Sequence, residues 1–397
     1  MFLMSPQQEC YGGVYHLVSR VVWREFAFDD DGKEFFVDLM RKYEAFGDLK
    51  VLGYCIMSNH VHIMVYVPPS RPDELCDEQL LAQLRHIYSN EHVASVAVQL
   101  REARSILDED KRSAALDRIR TPFTRRMWNF SDFMKSLKQG FSRYYNKRES
   151  KEGTLWQGRF TSIHVQGGWH ARFIAAYIDL NPLRAGMVDD AIDYRWSGLG
   201  AAHGNVEAAQ NAMLCTLLHE STVELHDAWQ ARGREHMHEY LVSIREEERA
   251  MKGSVAQSQC YDWKSQNARY RCFYVEEGQQ VQGDIMSGQD PAAYKKRQIG
   301  YSPEQLQKTL DDGAKLSIGQ MLRCRLRFAV EGLIFGTKEF VEEGFESLKM
   351  NLPEQYANRK EGAKKLNFTK DKRICAHRRH VKDAIDVKCR HTEHKVF

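Results

Sequence analysis

Two imidazoles stand one apolar residue apart at His60-Val61-His62, inside the β-rich run from Val51 to Val67. On a strand, alternate side chains leave from the same face, so this pair points one way, as two arms of a divalent-metal site do. Further along, Tyr177 and Asn181 lie four residues apart in Phe173-Ile-Ala-Ala-Tyr-Ile-Asp-Leu-Asn-Pro182. On a helix that spacing puts a phenol and an amide on one face, one turn apart. Together these residues offer a metal, a third oxygen ligand and a hydroxyl nucleophile. Each half also has a plain packing explanation: two half-buried polar residues on a strand, and a tyrosine ring filling a core near a helix end.

Four motifs occur in sequence: Gly12-Gly-Val-Tyr-His16, His60-Val-His62, Leu155-Trp-Gln-Gly-Arg-Phe160, and Tyr177-Ile-Asp-Leu-Asn-Pro182 with Arg184-Ala-Gly186. In this order they resemble the REP-associated tyrosine transposases, in the single-tyrosine branch of the HUH endonucleases, over about the first half of the chain. The resemblance implies a nickase and strand transferase acting near hairpins of single-stranded DNA, including REP-like elements, through a 5′-phosphotyrosine. It implies Mg²⁺ or Mn²⁺ and no nucleotide cofactor. Small insertion-sequence relatives carry glutamine where this chain has Asn181. Those relatives are dimers with exchanged tyrosine helices, whereas the REP-associated branch is compatible with a monomer, so monomer and dimer both stay open.

The chemistry such a set allows is transesterification. His60, His62 and the Asn181 carbonyl are the candidate ligands of a hard cation with positions left for phosphate oxygens. Tyr177 is the candidate nucleophile. A phenol with an ordinary pKa near 10 attacks poorly at neutral pH, so a base or positive charge must assist it. A phosphotyrosine keeps the bond energy, so a free 3′-hydroxyl can reverse the step and join strands without ATP. Tyr144 and Tyr145 are rival nucleophiles, and Asp179 falls on the wrong helix face to join Asn181.

These side chains need elements to hold them. Tyr15 to Val22 reads as a strand, and Asp30 to Phe46 has helical apolar spacing. Val51 to Met57 and His60 to Val67 form a hairpin with the imidazole pair opening its second strand. Asp77 to Ile106 reads as a charged helix within a helical insertion at 68–130, and Ser131 to Lys147 as an amphipathic basic helix. Trp156 to Val165 is a strand by pattern, and Trp169 to Leu180 a helix stopped by Asn181-Pro182. Hairpins mixed with helices predict an α+β antiparallel sheet with packed helices, and the resemblance implies its ferredoxin-like form across residues 1–200.

The net charge of +3 says little. From Arg118 to Arg159, however, basic residues greatly outnumber Asp132, Glu149 and Glu152, the footprint of phosphate contacts or of a solvated helix face. Lys135, Lys138, Arg143, Trp156, Gln157 and Arg159 are the candidate DNA-binding residues. The 9 cysteines lack a C-x-x-C pair and read as reduced thiols. No apolar run reaches a membrane span, so a cytoplasmic, nucleoid-associated protein with no membrane partner is expected.

Residues 201–300 read as polar helices and a linker, loop-rich near 253–290. Residues 301–357 read as a small helical domain able to serve as a DNA reader, with a helix from Met321 to Ile334 after a capping box at Ser317. The basic tail 358–397 holds Cys375-Ala-His-Arg-Arg-His380 and Cys389-Arg-His-Thr-Glu-His394, which either bind zinc or form an arm on DNA. Two other functions compete with the transposase: a non-catalytic DNA-binding regulator derived from one, and a zinc hydrolase, which would need a carboxylate ligand.

Overall fold

Strands buried at nearly every position demand cover on both faces, since alternation would otherwise leave one side wet. That is the pattern of β1 (Gly13–Arg20), β2 (Lys50–Ile56) and β3 (His60–Val67) in the computed structural model, which describes residues 13–68, 75–188, 190–218, 332–337, 339–344, 367–368 and 375–378. Between β1 and β2 runs α1 (Asp30–Gly47). Its first turn is fixed by Asp29, whose side chain accepts from the Gly32 N–H at 2.9 Å, and it ends at Asp48 in the left-handed conformation (φ 51°).

Three helices follow β3: α2 (Asp77–Leu84), α3 (Asn90–Arg104) and α4 (Glu109–Thr124). The single helix expected from Asp77 to Ile106 is therefore two, because Ser89 leaves the helical backbone and caps α3 through the His92 N–H at 3.3 Å. Then come α5 (Phe130–Glu149), β4 (Thr161–Val165), α6 (Trp169–Asp179), α7 (Asn181–Arg184), α8 (Gly198–His203) and α9 (Glu207–Leu218). β4 starts later than the Trp156 expected: Gly158 sits at φ 150°, outside the reach of other residues, and Trp156 makes just an isolated bridge to Val21.

β1, β2, β3 and β4 with α1 and α5 make a β-α-β-β-α-β unit whose strands lie antiparallel in the order β2-β3-β1-β4. The fold is α+β and ferredoxin-like, as expected. The sheet continues past β4 into β5 (Gly332–Gly336), which pairs parallel to β4, and then β7 (Cys375–Arg378) and β6 (Asn367–Phe368), to seven strands.

This corrects two expectations. Gly332 to Ile334, placed at the end of a helix from Met321, is strand: a short apolar run between glycines fits either period, and the open edge of β4 supplies the pairing. Cys375 to Arg378, read as part of a zinc cluster or free arm, pairs with β5. Residues 301–331 and 345–357, the 253–290 stretch and Cys389 to His394 lie outside the described residues.

The sheet divides the core. Tyr15, Leu17, Val61, Ile63 and Val65 point with Phe36, Phe141 and Trp156 into the layer under α1 and α5. Val14, Met64, Tyr66 and Ile163 point with Phe173, Tyr177 and Met213 into the layer under α6, α8 and α9.

Candidate active site

Residue alternation decides which layer the imidazoles enter. On β3, Val61, Ile63 and Val65 belong to the α1/α5 layer, whereas Met64 and Tyr66 belong to the α6 layer, so His60 and His62 face α6. Their rings lie 5.1 Å apart, nearly perpendicular. The Tyr177 ring, carried by α6, stands 6.2 Å from that of His62. The fold thus brings the strand pair and the helix tyrosine together on one sheet face.

Each imidazole is oriented by a partner. The His60 Nδ1 donates to Asn59 Oδ1 at 2.7 Å, because an amide oxygen only accepts. The His62 Nδ1 lies 2.9 Å from His16 Nε2, and the two rings stack. His62 is 1% exposed. Burial, then the neighbouring His16 and His60, holds its pKa well below 6.5, so it stays neutral at neutral pH.

Tyr177 is 2% exposed. The Arg184 guanidinium lies 4.2 Å from its ring centre and also donates to the Tyr177 carbonyl. Asn181 turns its amide nitrogen back onto the Tyr177 and Ile178 carbonyls, both at 3.1 Å, which leaves its Oδ1 as the remaining polar atom. As expected, α6 ends ahead of Asn181-Pro182, with Leu180 as its cap. Leu180 keeps helical angles (φ −81°, ψ −1°) and α7 begins at once, because Pro182 sits in a first turn where no N–H is needed.

A divalent cation fits this donor set. One nitrogen of each imidazole is held, His60 Nδ1 by Asn59 and His62 Nδ1 by His16, the usual support of a ligating histidine. Among the described residues no group of three or more His, Cys, Asp or Glu side chains could hold a metal. The third ligand that the sequence offers is the amide oxygen of Asn181, which follows Tyr177 by one helical turn. Asp179, 3% exposed, also lines a separate small cavity with Leu52 and Met213.

The rival tyrosines lie across the sheet. Tyr145 is part of the α1/α5 layer and accepts from Lys151, while Tyr144 stacks on Phe35 at 4.0 Å. The candidate DNA-binding residues split in three. Lys135 and Arg143 are exposed on α5, on the layer away from His62. Gln157 and Arg159 are exposed on the loop before β4, and the Gln157 N–H donates to the Arg20 carbonyl at 2.9 Å, against the strand end that pairs with His60. Trp156 and Lys138 are structural in this arrangement. Trp156 is 6% exposed, its indole N–H given to the Lys138 carbonyl and Ser142, and Lys138 donates to the Gly158 carbonyl, with burial lowering its pKa to about 8.

His16 and Arg184 were given no role from sequence, although both stand in the quoted motifs. His16 shares the parity of Val14 on β1, and Arg184 follows Asn181 by three on a helix, so period alone could have placed both at Tyr177.

Residues 9–74 match the family model described as "Transposase IS200 like". This bears out, over that segment, the transposase resemblance drawn from the motifs. A solved structure described as "Structure of the REP associates tyrosine transposase bound to a REP hairpin" is similar at 13% identity. The match covers 51% of this chain and 87% of that one, with a TM-score of 0.32. No curated protein matches the chain. Among the described residues no helix is long and apolar enough to cross a membrane.

Proposed function

We propose, from the IS200-like transposase segment at residues 9–74, that the chain is a metal-dependent endonuclease and strand transferase for single-stranded DNA with hairpins. The observation that carries this reading is the approach of Tyr177 to His62 on one sheet face, at 6.2 Å between rings. His60, His62 and Asn181 would hold Mg²⁺ or Mn²⁺, which supplies Lewis acidity and a template for the scissile phosphate. The Tyr177 oxygen attacks phosphorus, a new P–O bond forms, and the 3′ oxygen leaves with a proton. The 5′ end stays on the tyrosine. A later 3′-hydroxyl reverses the exchange, which separates transfer from hydrolysis. Arg184 positions Tyr177 by bonding its carbonyl and covering its ring.

At 2% exposure, the Tyr177 ring reaches DNA only after the α6–α7 segment gives way. That burial favours a second reading, a DNA-binding regulator that keeps the fold without cutting. Incubation with a hairpin-bearing single strand and Mg²⁺ or Mn²⁺ separates the two. The nuclease nicks the strand, spares the perfect duplex and stops on chelation; nicking undiminished in EDTA removes the metal from the account, and binding without nicking supports the regulator.

A further inference from the structure

We infer that Trp23 and Phe26, on the loop between β1 and α1, form a stacking platform for unpaired bases of single-stranded DNA next to His60. The inference rests on the single-strand DNA reading and adds to it a binding site for bases. Trp23 is 87% exposed and Phe26 80%, and they are the two large aromatic side chains standing so far into solvent among the described residues. Placing an indole and a phenyl ring in water gains nothing for folding. The backbone beneath them is also unusual. Trp23 (φ 54°) and Arg24 (φ 57°) are consecutive left-handed residues without glycine's freedom, and such strain persists where surrounding bonds impose it.

Those bonds run to the imidazole pair. The Asn59 amide donates to the Arg24 carbonyl at 3.2 Å while its oxygen accepts from His60 at 2.7 Å, so one side chain joins the loop to the outer imidazole. The Val21 N–H donates to the Asn59 carbonyl, the Phe28 N–H to Ser58, and the Val22 N–H to Leu155. The platform is therefore held in register with His60 from both sides.

Charge selects the occupant. Arg20 precedes the two rings in sequence and Arg24 lies between them, and the loop bearing Arg159 is bonded to the Arg20 carbonyl, whereas the loop's Glu25 is paired with Lys151 at 3.6 Å. Flat aromatic faces on a segment that carries two arginines suit a splayed nucleotide, with the base stacked and the phosphate on arginine. A duplex, whose bases already stack on each other, has no free face to offer.

The test measures affinity of the full chain for a labelled 15-nucleotide oligo-dT and for an abasic strand of equal length, by anisotropy at fixed salt. Stacking of a base on an aromatic ring predicts that Trp23→Ala/Phe26→Ala binds oligo-dT roughly ten- to hundredfold more weakly, with the abasic affinity unchanged. Trp23→Phe should recover most of the loss. Equal loss on both strands, or none on oligo-dT, overturns the platform; in the second case salt-sensitive binding of oligo-dT leaves the DNA reading standing. No binding of either strand by the unaltered chain removes both. Self-association lost in the double variant, with oligo-dT affinity kept, gives the pair to a protein contact and also overturns the proposal.

Discussion

The two faces of the sheet are built to different rules. Under α1 and α5 lies an aromatic stack: Phe141 packs on Phe28 at 4.2 Å, meets Phe36 at 5.6 Å, and touches Trp156 at 6.0 Å. Under α6 the layer admits His16, His62 and Asp179, all 5% exposed or less. Burying polar groups costs stability unless each is bonded; α1 also buries Lys33 and Glu44 but pairs them with Asp30 and Arg41, whereas the α6 side gathers its imidazoles beside Tyr177. The α5 face is packed with aromatic rings, and the α6 face holds His62 beside Tyr177.

His60→Ala and His62→Ala should break that contrast most sharply. Each is expected to abolish strand cleavage while leaving most hairpin affinity, because affinity rests on phosphate and base contacts made elsewhere. Normal cutting by both variants would make the α6 face as structural as its opposite. Phe141→Ala belongs to the other side. It should cost about 3–5 kcal/mol in denaturant unfolding, as large aromatic deletions do, with cutting retained by the folded fraction. A cost under about 1 kcal/mol would show the α5 layer to be loosely packed.

Acid sharpens the comparison, since each face holds a depressed imidazole. His164, on the α5 side, stacks on Tyr15 at 4.9 Å, and burial lowers its pKa to about 4. Its folded value lies below the unfolded value, so the unfolded chain binds the proton first. Stability present above about pH 6.5 is then lost as pH falls toward about 4, by at most ~3 kcal/mol. His164→Gln should flatten part of that slope in pH-resolved unfolding; an unchanged slope assigns the acid loss to other groups, such as His62.

The smallest effect concerns Lys135 and Arg143. If they contact a single strand, each neutralising change lowers the log-log salt slope of binding by about 0.7. An unchanged slope in the double alanine variant makes them an ordinary solvated surface, as their place on the far side from His62 allows.

Local signals made much of this legible. The hairpin with His60 at the start of β3 and the helix bounds of α1 and α5 followed from period and turn residues. The break at Ser89 was missed because a cap inside a charged helical stretch leaves the period intact on both sides. β5 was missed because its pairing with β4 joins residues far apart in the chain, and no local pattern records a partner at that distance. Trp156, a candidate DNA contact by its motif, has its ring in the aromatic stack, a placement that motif spacing does not record. The link from Asn59 through Arg24 to Trp23 is a matter of three-dimensional bonding that spacing does not reveal.

The central claim, that Tyr177 is the nucleophile, is tested most directly by looking for the covalent species. Tyr177→Phe keeps the ring and its packing against His62 and removes the one atom that can accept phosphate. After incubation with hairpin-bearing single-stranded DNA and Mg²⁺, the unaltered chain should give a protein-DNA band that survives boiling in detergent and holds DNA through its 5′ phosphate. The phenylalanine variant should give none while binding the hairpin as before. An adduct that persists in Tyr177→Phe and disappears in Tyr144→Phe or Tyr145→Phe would contradict the account and move the chemistry to α5.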